Sequence, residues 1–157
     1  MNGIELGALL ADASQAAAYF VDVRDRAALV EAATALDFAV VPVDLEFADD
    51  KPALLAALAA ALEFPRSFGG NWDALADSLG DLSWRPAPGY LLLLDHAGGL
   101  RDSAAEDFAT LLEILDEASH AHADAGVPFW ALLPVASPEA RAAAVRPWHN
   151  RVPINTP

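Results

Sequence analysis

The sequence predicts an α/β domain built on a small parallel sheet, and three observations carry that expectation. Short β-branched or leucine-rich runs alternate along the chain with segments of helical periodicity. The run "YLLLLD" at 90–95 is continuously apolar up to its last residue, as in a strand covered on both faces. The 157 residues, 55% hydrophobic and 20% charged, are enough for one packed core and too few for two comfortable ones. The expected sheet has three strands plus an extra N-terminal strand, flanked by helices and joined by right-handed crossovers.

The elements follow in chain order. "AYFVDV" (18–23) is short, aromatic and β-branched, and reads as a strand. "DRAALVEAATAL" (25–36) places Leu29, Val30, Ala33 and Leu36 at helical spacing. "FAVVPVDL" (38–45) is a second strand in which Pro42 cannot donate to a ladder, so it belongs at an edge or a bulge. Asp50 is placed to cap an alanine–leucine helix over 51–62, with Pro52 in its first turn. A loop through Gly70 leads to a helix starting at Asn71, and "YLLLLD" follows. "SAAE" at 103–106 reads as a capping box that opens a long helix toward His120, with Gly126 beyond its end. "VPFWALL" (127–133) is the last strand, and Ser137-Pro138 starts a short terminal helix.

Charge narrows the function classes. Twenty-three acidic residues against nine basic ones give a net charge of −14 and a pI near 4.3. Such a surface repels nucleic acid and anionic membranes and attracts basic proteins. There are no cysteines, which excludes disulfides, thiolate metal sites and cysteine nucleophiles and suits a reducing cytoplasm. No Lys or Arg precedes Arg24, so the basic start of a secretory signal is missing. The longest apolar run, "PALLAALAAAL" at 52–62, falls short of the ~20 residues that cross a bilayer. The expectation is a soluble cytoplasmic monomer without cofactor or metal. One region breaks the acidic pattern: after Pro138, Arg141, Arg146 and Arg151 face a single acid, Glu139.

The helix from Asn71 is the most informative segment. At about 100° per residue, with Trp72 at zero, Leu75, Leu79 and Leu82 fall near 300°, 340° and 280°. Asp73, Asp77 and Asp81 fall near 100°, 140° and 180°. The leucines therefore face a core and the aspartates face out. Asp73 benefits from the helix dipole in the first turn. Asp77 has no such support and sits one turn from an aspartate on each side, which costs a few tenths of a kcal/mol per pair. A row of carboxylates about 6 Å apart imitates a run of phosphates, and its complement is a basic, phosphate-binding cleft such as that of a nuclease.

The run "LEFPRSFGGNWDALADSLGDLSW" (62–84) closely resembles the signature of the barstar family, small acidic α/β proteins that inhibit ribonucleases by plugging the active site. Pro65, Phe68, Gly69, Gly70, Asn71, Trp72, Asp73, Ala74, Leu75 and Asp77 carry it. The resemblance continues in order through residues 38–133. It leaves 1–37 as an N-terminal βα extension and 134–157 as a basic C-terminal tail on a single compact domain. It implies a bacterial, cytoplasmic inhibitor or immunity protein whose partner is a small basic ribonuclease or nuclease toxin. By position, Asp73 and Asp77 match two helix aspartates that enter the ribonuclease cleft, Asp77 the deeper one. Gly69, Asn71 and Trp72 match the binding loop and helix start, Asp81 extends the acidic row, and Glu117 on the long helix is the candidate for a further anionic contact. Ser67 and Ala76 stand where the family's best-known inhibitor has a tyrosine and a tryptophan, which puts the partner's identity in question.

Two other readings come from different classes. An immunity or adaptor module on the same scaffold would bind a partner that is not a ribonuclease. An enzyme would use Asp95-His96, at the end of a strand where α/β sheets place active sites. A strand-end Asp is more often a cap and a lone His structural, and no glycine-rich phosphate loop or nucleophile elbow is present. His120 and His122, two apart on a helix, point in different directions and do not share a metal. Trp84, Trp130 and Trp148 read as packing residues. The arginine tail could fold back on the acidic face.

Overall fold

The computed structural model describes residues 2–136, so the expected terminal helix, Trp148 and the arginine tail lie outside the described residues. The elements are α1 (Gly3–Leu10), β1 (Ala18–Asp22), α2 (Arg26–Ala35), β2 (Ala39–Asp44), α3 (Lys51–Leu62), α4 (Trp72–Asp81), β3 (Tyr90–Asp95), α5 (Gly98–Ser103), α6 (Ala105–Asp124) and β4 (Phe129–Val135). Among the described residues the four strands form one parallel sheet in the order β1-β4-β3-β2. The N-terminal strand thus adds to the three strands of 38–135 beside β4. Pro42 lies in β2, an edge strand, as its missing N–H requires.

Helices cover both faces, which is why the inner strands are apolar at every position but Asp95, the last of β3. Along β3, Leu92 and Leu94 pack with α3, α4 and α6, while Leu91 and Leu93 pack with α1 and α2. Along β4, Phe129 and Ala131 face the first layer and Trp130 and Leu132 the second. Trp130 is fully buried and its Nε1–H donates to the Leu10 carbonyl at 2.9 Å. The packing roles expected for Trp130 and Trp84 hold.

Three details correct the sequence reading. The extension before residue 38 is αβα, because α1 precedes β1: Asn2 caps it by accepting from the Glu5 N–H at 2.8 Å, and Leu6 and Leu10 bury one face. The capping box at 103–106 does not form. Ser103 ends the short helix α5, and its Oγ donates toward the carbonyls of Gly99 at 2.6 Å and Asp49 at 3.0 Å, so α6 begins without a side-chain cap. Asp95 is neither a cap nor a turn former; it pairs with Arg26.

Candidate functional site

The site is built from the end of α3, the loop 63–71 and α4. Glu63 ends α3 in the left-handed region at φ 56°, and Phe64 N–H then bonds the Ala59 carbonyl at 3.0 Å. Phe68 N–H closes a turn on the Pro65 carbonyl at 2.9 Å. Of the two glycines, Gly70 is the one with positive φ, 69°, where a Cβ is strained. Asn71 then caps α4, its Oδ1 accepting from the Ala74 N–H at 2.8 Å.

Packing orients the helix as its periodicity predicts. Leu75 and Leu79 are fully buried and Leu82 is 1% exposed. Asp73, Asp77 and Asp81 are all exposed. A tie from α6 holds this orientation: buried His122 donates from Nε2 to the Leu79 carbonyl at 2.7 Å and stacks on Phe129 at 5.2 Å. Sequence reasoning weighed His122 only as a metal ligand and missed this role. Its place on the buried stripe of α6, one turn beyond Ala118, was the available signal.

The loop and the helix enclose a depression of about 270 Å³ whose lining includes Ser67, Phe68, Gly69, Asp77, Asp81 and Trp84. Phe68 and Trp84 are the aromatic residues of its lining. Phe64 contacts Phe68 at 4.8 Å and Trp84 edge-on at 5.8 Å, and Trp84 Nε1–H donates to the Leu62 carbonyl at 3.1 Å. Two carboxylates and two aromatic side chains thus line one small hollow, a combination that accepts a cationic side chain with an aliphatic stem.

The remaining sequence-predicted residues are placed differently. Asp73 is exposed one turn toward the helix start from Asp77. Asn71 is committed to the cap. Trp72 is half-buried, with Lys51 Nζ 5.1 Å from its ring. Ala76 is half-buried against the core. Glu117 is exposed on α6, the helix that packs against α4.

Asp95 and His96 are drawn to separate partners. Arg26 Nε and Nη2 donate to the two Asp95 oxygens at 2.9 and 2.8 Å. His96, at φ 57°, pairs through Nδ1 with Asp44 Oδ1 at 2.9 Å. That hydrogen bond raises the His96 pKa above its ordinary value and lowers that of Asp44. Asp44, Glu46 and His96 each bring one possible ligand atom within 4.8 Å of the others; all three are exposed, and Asp44 and His96 are held together by their ion pair. His120 is exposed and bonds the Asp116 carbonyl, away from His122.

Fold and site together define an acidic α/β protein with a row of carboxylates on an exposed helix beside a glycine loop. Residues 38–134 match the family described as Barstar (barnase inhibitor), and the chain belongs to that family. No curated protein matches it. Among solved structures, two forms of the Aeropyrum pernix ORC2 protein are similar in fold. The ADPNP-ADP complexes share 19% identity at TM-score 0.58, covering 89% of this chain and 41% of that one. The ADP form shares 20% at TM-score 0.57, covering 88% and 40%. The chain spans about two fifths of the length of these structures, and the likeness is one of fold alone. No helix among the described residues is long and apolar enough to cross a membrane.

Proposed function

We propose that this chain is a proteinaceous ribonuclease inhibitor, residing in the cytoplasm, that occludes the basic active site of a small nuclease. The observation that carries this reading is the exposed Asp73–Asp77–Asp81 row beside the depression that Asp77 and Asp81 line, in a chain of the barstar family. Long-range attraction from a −14 protein speeds the encounter. Asp77 then pairs with an active-site Arg, Lys or His of the nuclease, Asp73 and Asp81 flank it, and Gly69, Asn71, Trp72, Ser67 and Ala76 form the surrounding contact. Glu117 supplies a further carboxylate from α6. The chain acts by binding and performs no catalysis.

Ser67 and Ala76 favour a second reading. Without aromatics at these positions the interface loses two packing anchors, which suits an immunity or adaptor module retargeted to another basic protein. The test is a titration of RNA cleavage by barnase and other small basic ribonucleases, with Asp77→Ala as control. Stoichiometric inhibition that the variant loses supports the inhibitor. Binding to such a nuclease with cleavage unimpaired sinks it, and inhibition untouched by Asp77→Ala sinks the role given to α4.

A further inference from the structure

A second surface adjoins the acidic helix and is not used by it. Phe47, between β2 and α3, is 84% exposed. Beside it Ala48, Ala53, Ala57 and Asp44 complete a groove of about 210 Å³ with an aliphatic floor. Four carboxylates, Asp44, Glu46, Asp49 and Asp50, are exposed within the seven positions 44–50.

The loop is held at several points. Asp44 accepts from the Glu46 N–H at 3.0 Å and pairs with His96. Ser103 Oγ donates to the Asp49 carbonyl at 3.0 Å, and Asp50 caps α3 through the Ala53 N–H at 2.9 Å. Phe47 is therefore displayed on an anchored loop. The loop is also continuous with the candidate site: Lys51, the next residue, lies over Trp72, which directly precedes Asp73.

Charge decides what the groove takes. A second copy would bring the same four carboxylates against each other, which like-charge repulsion disfavours. A basic surface that offers an apolar side chain satisfies both the exposed carboxylates of the loop and the groove lined by Phe47, Ala53 and Ala57. We propose that the 44–50 loop is a second docking arm for the basic ribonuclease that α4 takes, with Phe47 as its aromatic anchor. This rests on the inhibitor reading above. It places an aromatic contact on the loop in a chain that has Ser67 and Ala76 on the helix side.

The experiment measures binding of barnase to the full chain and to Phe47→Ala, Phe47→Trp and Asp77→Ala, with amide chemical shifts of the full chain recorded alongside. The arm predicts perturbed amides at 44–50, 53 and 57 together with 71–81. It also predicts an affinity loss of about tenfold or more in Phe47→Ala, largely restored in Phe47→Trp, at unchanged melting temperature. Shifts confined to 71–81, with Phe47→Ala binding like wild type and Asp77→Ala not binding, overturn the arm and leave the inhibitor reading intact. Loss in Phe47→Ala with none in Asp77→Ala keeps the arm and overturns the reading of α4. No perturbed amide overturns both for this partner. Self-association abolished by Phe47→Ala assigns the groove to a second copy and overturns the proposal.

Discussion

Arg26 in α2 and Asp95 at the end of β3 meet as a two-pronged ion pair, with N···O distances of 2.9 and 2.8 Å. The Arg26 side chain is 34% exposed and that of Asp95 17%. The pair joins the αβα extension to the family domain at the end of the sheet where the strands terminate. A guanidinium fork reaches both carboxylate oxygens at once, and a lysine cannot reproduce it. Arg26→Lys should therefore lose most of what Arg26→Ala loses. A double-mutant cycle with Asp95→Asn in urea is expected to give a coupling of about 1 kcal/mol, between surface and buried values. A coupling indistinguishable from zero would show that the fork is ornamental to stability.

Removing residues 1–37 takes away β1, α1 and α2 together. It uncovers Leu91, Leu93, Trp130 and Leu132, all fully buried in the full chain. An apolar sheet face of this kind is an aggregation site. The truncated chain should bind ANS and fail to give a cooperative monomeric unfolding transition. A soluble, cooperative 38–157 chain would mean that the family domain closes its core without the extension.

The two glycines of the loop should behave differently. Gly70 has φ 69°, and a Cβ there costs about 1–2 kcal/mol. At Gly69 a Cβ meets Asn71 Nδ2 at 3.5 Å and the Ala74 Cβ at 3.6 Å, which is ordinary contact. Chemical denaturation should show Gly70→Ala clearly destabilised and Gly69→Ala close to wild type; the reverse order would contradict the loop conformation.

On α4, stability and the proposed binding pull in opposite directions. Asn71→Ala should cost about 1 kcal/mol through the lost cap. Asp77→Asn relieves repulsion from Asp73 and Asp81 and should gain a few tenths of a kcal/mol, while weakening nuclease binding. Thermal melts at low and high salt distinguish the two, because salt screens the gain in Asp77→Asn and leaves the cap unaffected.

The His96–Asp44 pair sets a pH window. His96 has a raised pKa, chiefly from its hydrogen bond to Asp44, so its contribution is complete below the unfolded histidine value and lost as pH rises through the folded one. Asp44 has a lowered pKa, chiefly from the same bond, so its contribution is present above the unfolded carboxylate value and lost as pH falls through the folded one. The pair is intact between the two folded values. An NMR titration should place the His96 midpoint above 6.5, the ordinary value, and Asp44→Asn should bring it back toward that value. A wild-type midpoint at or below 6.5 would remove the ion pair.

Much of this was legible in the sequence because it is local. The apolar and β-branched runs of the strands, the period of 3.6 in α4, Asp50 as a cap, the helix start at Asn71 and Pro42 at an edge are decided within a few residues. So is the acidic row of Asp73, Asp77 and Asp81, because the buried leucines opposite leave it no other direction. The motif of 62–84 also pointed to the family that residues 38–134 match.

What remained depends on groups distant in sequence. Ser103 and Glu106 satisfy the local pattern of a capping box, yet the Asp49 carbonyl, 54 positions away, and the Gly99 carbonyl take the Ser103 hydroxyl, and α5 forms where no helix was expected. Nothing near Asp95 names Arg26, 69 positions away, nor anything near His122 the Leu79 carbonyl, 43 away. Phe47 is left in solvent on a loop whose hydrogen bonds tie it to β2, α3 and α5. Periodicity and capping are short-range interactions that the chain encodes directly. Which distant polar group each side chain reaches, and which aromatic is left in solvent, is settled only when the sheet brings those segments together.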